Sequence, residues 1–285
     1  MNPLAKELRG KVAVVTGGAG GLGRAMALHF AREGMHVAIA DIEQKSLDTT
    51  VAELKALGVR AFGARTDVSR AAEVDDLAAR VVAELGGVHV VCNNAGISPL
   101  GAVWENTLAD WQWMLGVNLW GVIHGVRAFA PLLIAQDEGH IVNTASVAGL
   151  INPPNSGMYN VTKHAVVALT ETLHHDLAGR RSKVGCSVLC PAYVPTGIAD
   201  SERNRPAELA NPAAEKSPEQ RAKEEMLRKA VRSGRLSADD IGAAVLAAVK
   251  ENRFYILTHP RIKGAIQARM EDILEGRQPR NPLAL

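Results

Sequence analysis

"VAVVTGGAGGLG" (12–23) decides the fold. Its first five residues are apolar on both faces, as a strand buried between two layers must be. Glycines then crowd into "TGGAGGLG" (16–23), and an amphipathic segment, "LGRAMALHFAREG" (22–34), follows and stops at Gly34, a plausible C′ position. Strand, glycine loop and helix in this order bring bare backbone to a helix N-terminus, where N–H groups and the helix dipole suit a pyrophosphate. Gly17, Gly21 and Gly23 carry the spacing, with Gly20 and Leu22 between them, so the stretch predicts dinucleotide binding. Asp41 ends the next strand-like run, 18 residues after Gly23. A carboxylate there accepts hydrogen bonds from an adenosine ribose and repels a 2′-phosphate. Position 42 is Ile rather than Arg, and Gly20 offers no basic side chain, so NAD is expected and NADP disfavoured.

Outward from this unit the chain alternates. Strand-like runs stand at "VAVVT" (12–16), "HVAIAD" (36–41), "RAFGART" (60–66), "VHVVCN" (88–93), "HIVNTAS" (140–146), "GCSVLCP" (185–191) and "RFYILT" (253–258). Amphipathic segments lie between them, such as "AAEVDDLAARVVAELGG" (71–87), closed by Gly86 and Gly87. The order predicts the α/β class: a doubly wound parallel sheet of about seven strands with helices on both faces. Neither a repeat nor a long linker interrupts it, so residues 1–285 read as a single domain. The exception is 197–236, polar and rich in Pro, Glu, Arg and Lys, which reads as a solvated loop or a lid over the site.

Composition narrows the function classes. Hydrophobic residues make up 47%, charged residues 22% and the net charge is +2, which leaves no electrostatic reason to expect nucleic acid or a membrane surface as partner. "MNPLAKELRGK" (1–11) has no signal-like apolar run, and no stretch reads as spanning a bilayer. Cys92, Cys186 and Cys190 sit in apolar strand-like runs without ligand spacing and read as buried thiols in a reducing compartment, so a cytoplasmic location is expected. His164, His174 and His175 lack a companion set of carboxylates or thiols, and no catalytic metal is expected.

"YNVTK" (159–163) carries the chemistry. At i and i+4 of a helix, Tyr159 and Lys163 share one face. An ammonium near a phenol favours the phenolate and tunes it as a general acid or base. Spacing alone also allows an idle surface pair.

Taken together, "TGGAGGLG", "DV" (67–68), "NNAG" (93–96), Asn118, Ser146, "YNVTK" and "PAYVPT" (191–196) resemble the short-chain dehydrogenase/reductase family, over residues 8 to 258. The resemblance implies a Rossmann-type fold and an NAD(P)-dependent oxidoreductase acting on CH–OH groups. It implies that Tyr159 is the acid/base, that Lys163 lowers its pKa and holds the nicotinamide ribose, and that Ser146 binds the substrate oxygen. Asn118 would hold a relay water through its backbone. Cofactor contacts are implied for Gly17, Gly20, Gly21, Leu22, Gly23, Asp41 and Ile42 and, at the adenine and its ribose, for Asp67, Val68, Asn94, Ala95 and Gly96. Pro191, Val194 and Thr196 would orient the carboxamide. The chain departs from the family where Ala192 and Tyr193 follow Pro191, in place of the usual glycine.

Ser98, Leu100, Ser146, Leu150, Ile151, Met158 and Tyr193 are expected to wall an apolar substrate pocket suited to a bulky hydrophobic or aromatic secondary alcohol or its ketone. The tail, 259–285, adds a helix like that of bacterial relatives acting on bulky aromatic alcohols, including lignin-derived aryl ethers. A homodimer or homotetramer is expected, with Trp104, Trp111 and Trp113 near the shared surface and Trp120 following. Two other readings stay open: an NADPH-dependent 3-ketoacyl-type reductase, and a non-catalytic dinucleotide-binding sensor.

Overall fold

The computed structural model describes residues 7–211 and 218–284. Seven parallel strands form one sheet: β1 (Val12–Thr16), β2 (His36–Asp41), β3 (Ala61–Arg65), β4 (Val90–Asn93), β5 (His140–Thr144), β6 (Gly185–Leu189) and β7 (Tyr255–Ile256). Their order is β3-β2-β1-β4-β5-β6-β7. All pairings are parallel, from Val12 beside His36 to Leu189 beside Ile256. The expectation of a Rossmann-type doubly wound sheet with helices on both faces holds.

Helices α1 (Gly21–Arg32), α2 (Gln44–Ala56) and α8 (Ala238–Glu251) cover one face, burying Met26, Phe30, Leu47, Leu54, Ile241 and Val245 against β1 and β2. The other face takes α3 (Ala71–Leu85), α5 (Gly121–Gln136) and α6 (Gly157–Gly179), with Leu77, Val81, Phe129, Leu133 and Leu177 inward. Both layers bury side chains of the same strands. That is why Val14, Val15, Ala38 and Ile39 are all fully buried and the strand shows no polar alternation. Helix ends follow their sequence signals: Gly34 has φ +82° just past α1, and Gly86 caps α3 in the left-handed region.

Strand order reverses between β1 and β4, which opens a crevice at their carboxyl ends, where an open α/β sheet binds its ligand. The runs expected as strands overshoot at those ends. Ala145 and Ser146 leave β5, and Cys190 and Pro191 leave β6, before the pairing would have carried them further. The residues released this way build the crevice wall.

Two further differences concern helices. The 197–236 segment is not a plain loop: it holds short 3₁₀ turns at Gly197–Asn204 and Ala207–Leu209 and then α7 (Pro218–Arg232). Its residues 212–217 lie outside the described ones, as do 1–6 of the N-terminus and Leu285. Helix α4 (Leu108–Leu115), a π turn (Gly116–Trp120) and α5 join into one helical run, Leu108–Gln136, long and apolar enough by length and composition to cross a membrane. Here it packs against α3, α6, β4 and β5, which accounts for its apolar character. Helix α9 (Ile262–Leu274) forms the tail.

Candidate active site

One cavity of about 1360 Å³ runs along the carboxyl ends of the strands. Its first end is made of main chain. Gly17, at φ +63°, faces the loop after β4 so closely that a Cβ would stand 2.9 Å from the Cα of Ala95. Asn94 ties the two loops together, its side-chain amide donating to the Thr16 carbonyl (3.0 Å) and its backbone N–H to the Thr16 hydroxyl (2.9 Å). At Gly23 a Cβ would lie 2.0 Å from the Gly17 carbonyl oxygen, so only glycine lets α1 start against the loop. Gly23 therefore serves packing and does not line the cavity, unlike Gly17, Gly20, Gly21 and Leu22. Helix α1 begins without a side-chain cap and without an acidic residue in its first turn. A Cβ on Gly20 would meet nothing within 4 Å. An uncapped helix N-terminus opening on free space fits a diphosphate.

Asp41 stands beside this loop. Its carboxylate accepts from the backbone N–H of Ala19 (3.0 Å) and of Glu43 (3.1 Å). Burial pushes its pKa up, and those two N–H donors oppose the rise. Ile42, Asp67, Val68, Ala95 and Gly96 line the same end.

Ser146, Tyr159 and Lys163 meet farther along. Ser146 caps a 3₁₀ turn (Val147–Gly149), its hydroxyl accepting from Ala148 N–H (3.1 Å) and donating to the Pro191 carbonyl (3.3 Å). Lys163 is 3% exposed, and its ammonium donates to the Thr144 carbonyl (2.9 Å). It lies 5.5 Å from the centroid of the Tyr159 ring. The electrostatics differ from the expectation that Lys163 lowers the phenol. Burial dominates and pushes Tyr159 up to about 12, while the Ser146 hydroxyl is the group that favours the phenolate. Burial also pushes Lys163 down to about 8, because an ammonium loses hydration in the same wall. Pro191, Val194 and Thr196 flank the three residues.

Asn118 does not face the cavity. It is fully buried in the π turn, where its side chain accepts from Ile97 N–H (2.9 Å) and donates to the Ile97 carbonyl (2.9 Å). A residue poor in helices is thus held by a loop that needs both of its amide groups.

The far end is apolar. Ser98, Leu100, Ile151 and Tyr193 line it as expected; Leu150 and Met158 do not. Leu150 packs instead beside Val166 and Val188, and Met158 is buried with Ile97, Trp113 and Met114 behind the wall. Trp113 is also misplaced by the sequence reading. It is 3% exposed and turned inward, with the Arg205 guanidinium 4.3 Å from its ring centroid. Trp111 and Trp120 line the cavity too, leaving Trp104, 86% exposed, as the outermost of the four.

Comparison with known proteins gives the family. The sequence profile described as short chain dehydrogenase matches residues 11–207. The chain belongs to the short-chain dehydrogenase/reductase family. A crystal structure of a family member from Burkholderia phymatum in complex with NAD superposes with a TM-score of 0.95 at 51% identity, covering 98% of this chain and 99% of that one. The CLA biosynthesis dehydrogenase/reductase of Lactiplantibacillus plantarum is 32% identical over 96% of each chain. The 1-deoxy-11-beta-hydroxypentalenate dehydrogenase of Streptomyces exfoliatus is 31% identical over 94% of this chain and 90% of its own. The family is one of oxidoreductases that use NAD(P).

Several residues that line the cavity or brace its wall carried no sequence signal. Arg205 and Asn211 reach Asp110 at 2.7 and 2.8 Å, and Arg203 and Asn204 reach Glu43. Only Thr107-x-x-Asp110 was legible in principle, as the capping box that starts α4. The partners of Asp110 and Glu43 come from 95 or more positions away.

Proposed function

We propose that the protein is an NAD-dependent oxidoreductase that interconverts a bulky, largely apolar secondary alcohol and its ketone, with Tyr159 as acid/base. The observation that carries this reading is the meeting of Ser146, Tyr159 and Lys163 in a cavity whose other end is an open glycine loop beside Asp41. When bound, a nicotinamide dinucleotide supplies the hydride acceptor or donor. The chain's residues hold it and move the proton. Gly17, Gly20, Gly21 and Leu22 receive the diphosphate, Asp41 and Ile42 the adenosine ribose, and Asp67 and Val68 the adenine. Asn94, Ala95 and Gly96 back that ribose, while Pro191, Val194 and Thr196 set the carboxamide.

Ser146 donates to the substrate oxygen and stabilises the charge that develops there. Tyr159 as phenolate takes the hydroxyl proton in oxidation, and as phenol returns it in reduction. The Thr144 carbonyl accepts a hydrogen bond from the Lys163 ammonium, and the remaining N–H donors suit ribose hydroxyls. A lysine held near 8 also exchanges protons close to neutral pH, which supports a relay from Tyr159 through Lys163 and a water on the Asn118 main chain.

The substrate reading rests on Leu100, Trp111, Ile151, Tyr193, Leu227 and Leu283, which give the cavity a large apolar wall for a bulky substrate beside the polar Gln112, Asn155 and Lys223. Residues 197–236 act as its lid, and the 259–285 extension closes it from the tail side through Ile262 and Leu283. Assembly as a homodimer or homotetramer is part of the proposal, supported by the exposed apolar side chains Trp104 and Leu108, 86% and 87% exposed, and Val161 of α6. The test mixes the protein with NAD or NADP and a panel of secondary alcohols of increasing apolar size, reading nicotinamide absorbance. Turnover rising with apolar size in NAD is expected; turnover restricted to small polyols sinks the substrate reading.

A further inference from the structure

We infer that Glu43 is a second determinant of cofactor choice, selecting NAD by neutralising an arginine that the lid brings to the adenosine end of the cavity. The inference rests on the NAD reading above and adds a residue to it.

From sequence, this end holds no cation, because position 42 is Ile and the glycine loop is neutral. The fold supplies one from a distance of 160 positions. Arg203 lies in the 3₁₀ turn Gly197–Asn204 and lines the cavity with Asp41 and Glu43. Its Nε and Nη2 donate to the same Glu43 oxygen at 3.0 and 2.6 Å, and its Nη1 donates to the carbonyls of Gly197 (3.0 Å) and Asp200 (2.8 Å). Asn204 donates to that Glu43 oxygen as well, at 2.7 Å. Four hydrogen bonds fix the guanidinium, and its charge is matched by one carboxylate.

The other arginine at this end is treated alike. Arg70 stands 3.5 Å from Asp67 and 3.4 Å from Glu208. Among the described residues, both guanidinium groups are paired with carboxylates, Arg203 with Glu43 and Arg70 with Asp67 and Glu208, while Asp41 lines the same cavity without a cationic partner. A dianionic 2′-phosphate beside Asp41 meets a negative surplus, and the arginine nearest in chain topology to that corner is committed to Glu43. A ribose bearing two hydroxyls meets no such penalty.

Removing the Glu43 charge while keeping its shape isolates the effect. Dissociation constants of NAD and NADP are measured by titration calorimetry for the wild type, Glu43→Gln, and Glu43→Gln combined with Arg203→Met. Glu43→Gln is expected to tighten NADP by about tenfold, with a much smaller change for NAD, since a partly exposed ion pair and one removed repulsion act together. The gain should shrink as salt rises. In the double variant the gain should fall back by at least half. Unchanged NADP affinity in Glu43→Gln overturns the inference, and so does a gain that survives intact without Arg203. A wild type that binds NADP as tightly as NAD breaks the NAD reading itself; a wild-type NAD preference that Glu43→Gln leaves untouched breaks only the role of Glu43.

Discussion

The two ends of the cavity are built by different means. The floor of the dinucleotide end is main chain and short-range in sequence: glycines, helix N-terminal N–H groups and one strand-end carboxylate around β1, α1 and β2, to which the loops after β3 and β4 and the lid's Arg203 are added. The substrate end and its cover are side chains from α4, the 197–211 turns, α7 and the tail, joined by ion pairs across long sequence distances. Main-chain sites tolerate little, because a Cβ at Gly17 or Gly23 collides with backbone. Side-chain sites can be rewritten one residue at a time, which fits a scaffold that keeps its cofactor chemistry while substrates change.

Tyr159 sits where the two ends join, and breaking it should have the largest effect. Tyr159→Phe keeps ring packing but removes the proton acceptor, so kcat should fall by about 10²–10⁴ with dinucleotide affinity nearly unchanged. Near wild-type turnover by this variant would falsify the proposed mechanism. The pH dependence follows from the same residue. With the phenol pushed up to about 12 by burial, the phenolate is the minor form at neutral pH. Oxidation should therefore speed up as pH rises toward the alkaline range, and reduction should not. Any positive charge placed near the ring favours the phenolate, moving that rise to lower pH. Lys163→Ala should weaken dinucleotide binding and leave the rise in place, because a lysine held near 8 is already uncharged where the phenol titrates; a rise moved to higher pH would show that the ammonium does lower the phenol.

The next effect tests the far end. Arg205 and Asp110, with side chains 9% and 10% exposed, form a nearly buried ion pair at 2.7 Å that ties the 3₁₀ segment to α4. Breaking such a pair from one side leaves an uncompensated carboxylate. Arg205→Met should lower the unfolding free energy by about 3 kcal/mol, read by denaturant titration, and should raise KM for bulky substrates more than for NAD. Equal damage to both would mean that the two ends are not separable.

This division also explains what could be read from the sequence. All seven strands, the glycine loop and Asp41 lie in short runs whose meaning is local, a period or a spacing, whereas Ser146, Tyr159 and Lys163 stand out as a set only through the family resemblance. Leu150 and Met158 turn away from the cavity because Leu150 packs against the cluster of Val166 and Val188, and Met158, in the first turn of α6, joins that of Ile97 and Trp113, and no local pattern marks either choice. Trp113 is buried with Ile97, Met114 and Met158 and carries Arg205, 92 positions later, over its ring, and neither partner set is visible in its own stretch of sequence. The phenol's pKa failed for another reason. The i, i+4 spacing correctly brings Lys163 to the Tyr159 ring, but burial acts on both groups and is the largest cause of each shift.

Cofactor preference is a smaller effect than any of these. Asp41→Ala should narrow the NAD over NADP ratio in kcat/KM, since it removes one carboxylate facing a 2′-phosphate. It should not reverse the ratio, because the remaining carboxylates and the engaged Arg203 are untouched. A full reversal would place the whole preference on Asp41.

The smallest expected effect lies at the rim. Met226 of α7 lines the cavity yet is 73% exposed, and Leu283 of the tail, 61% exposed, lines it as well. An apolar side chain left in water at a cavity mouth gains burial only when an apolar ligand passes or stops there. Covering about half of a methionine side chain is worth roughly 1 kcal/mol, so Met226→Ser should raise KM for the largest apolar substrates by about fivefold. Small secondary alcohols, which do not reach the rim, should keep their kcat/KM, and NAD affinity should not move, since the glycine loop lies at the other end of the cavity. The comparison is internal: one variant, two substrates of different length, and a cofactor titration as the control. If the long and short substrates lose equally, Met226 supports α7 rather than the substrate, and the mouth lies elsewhere.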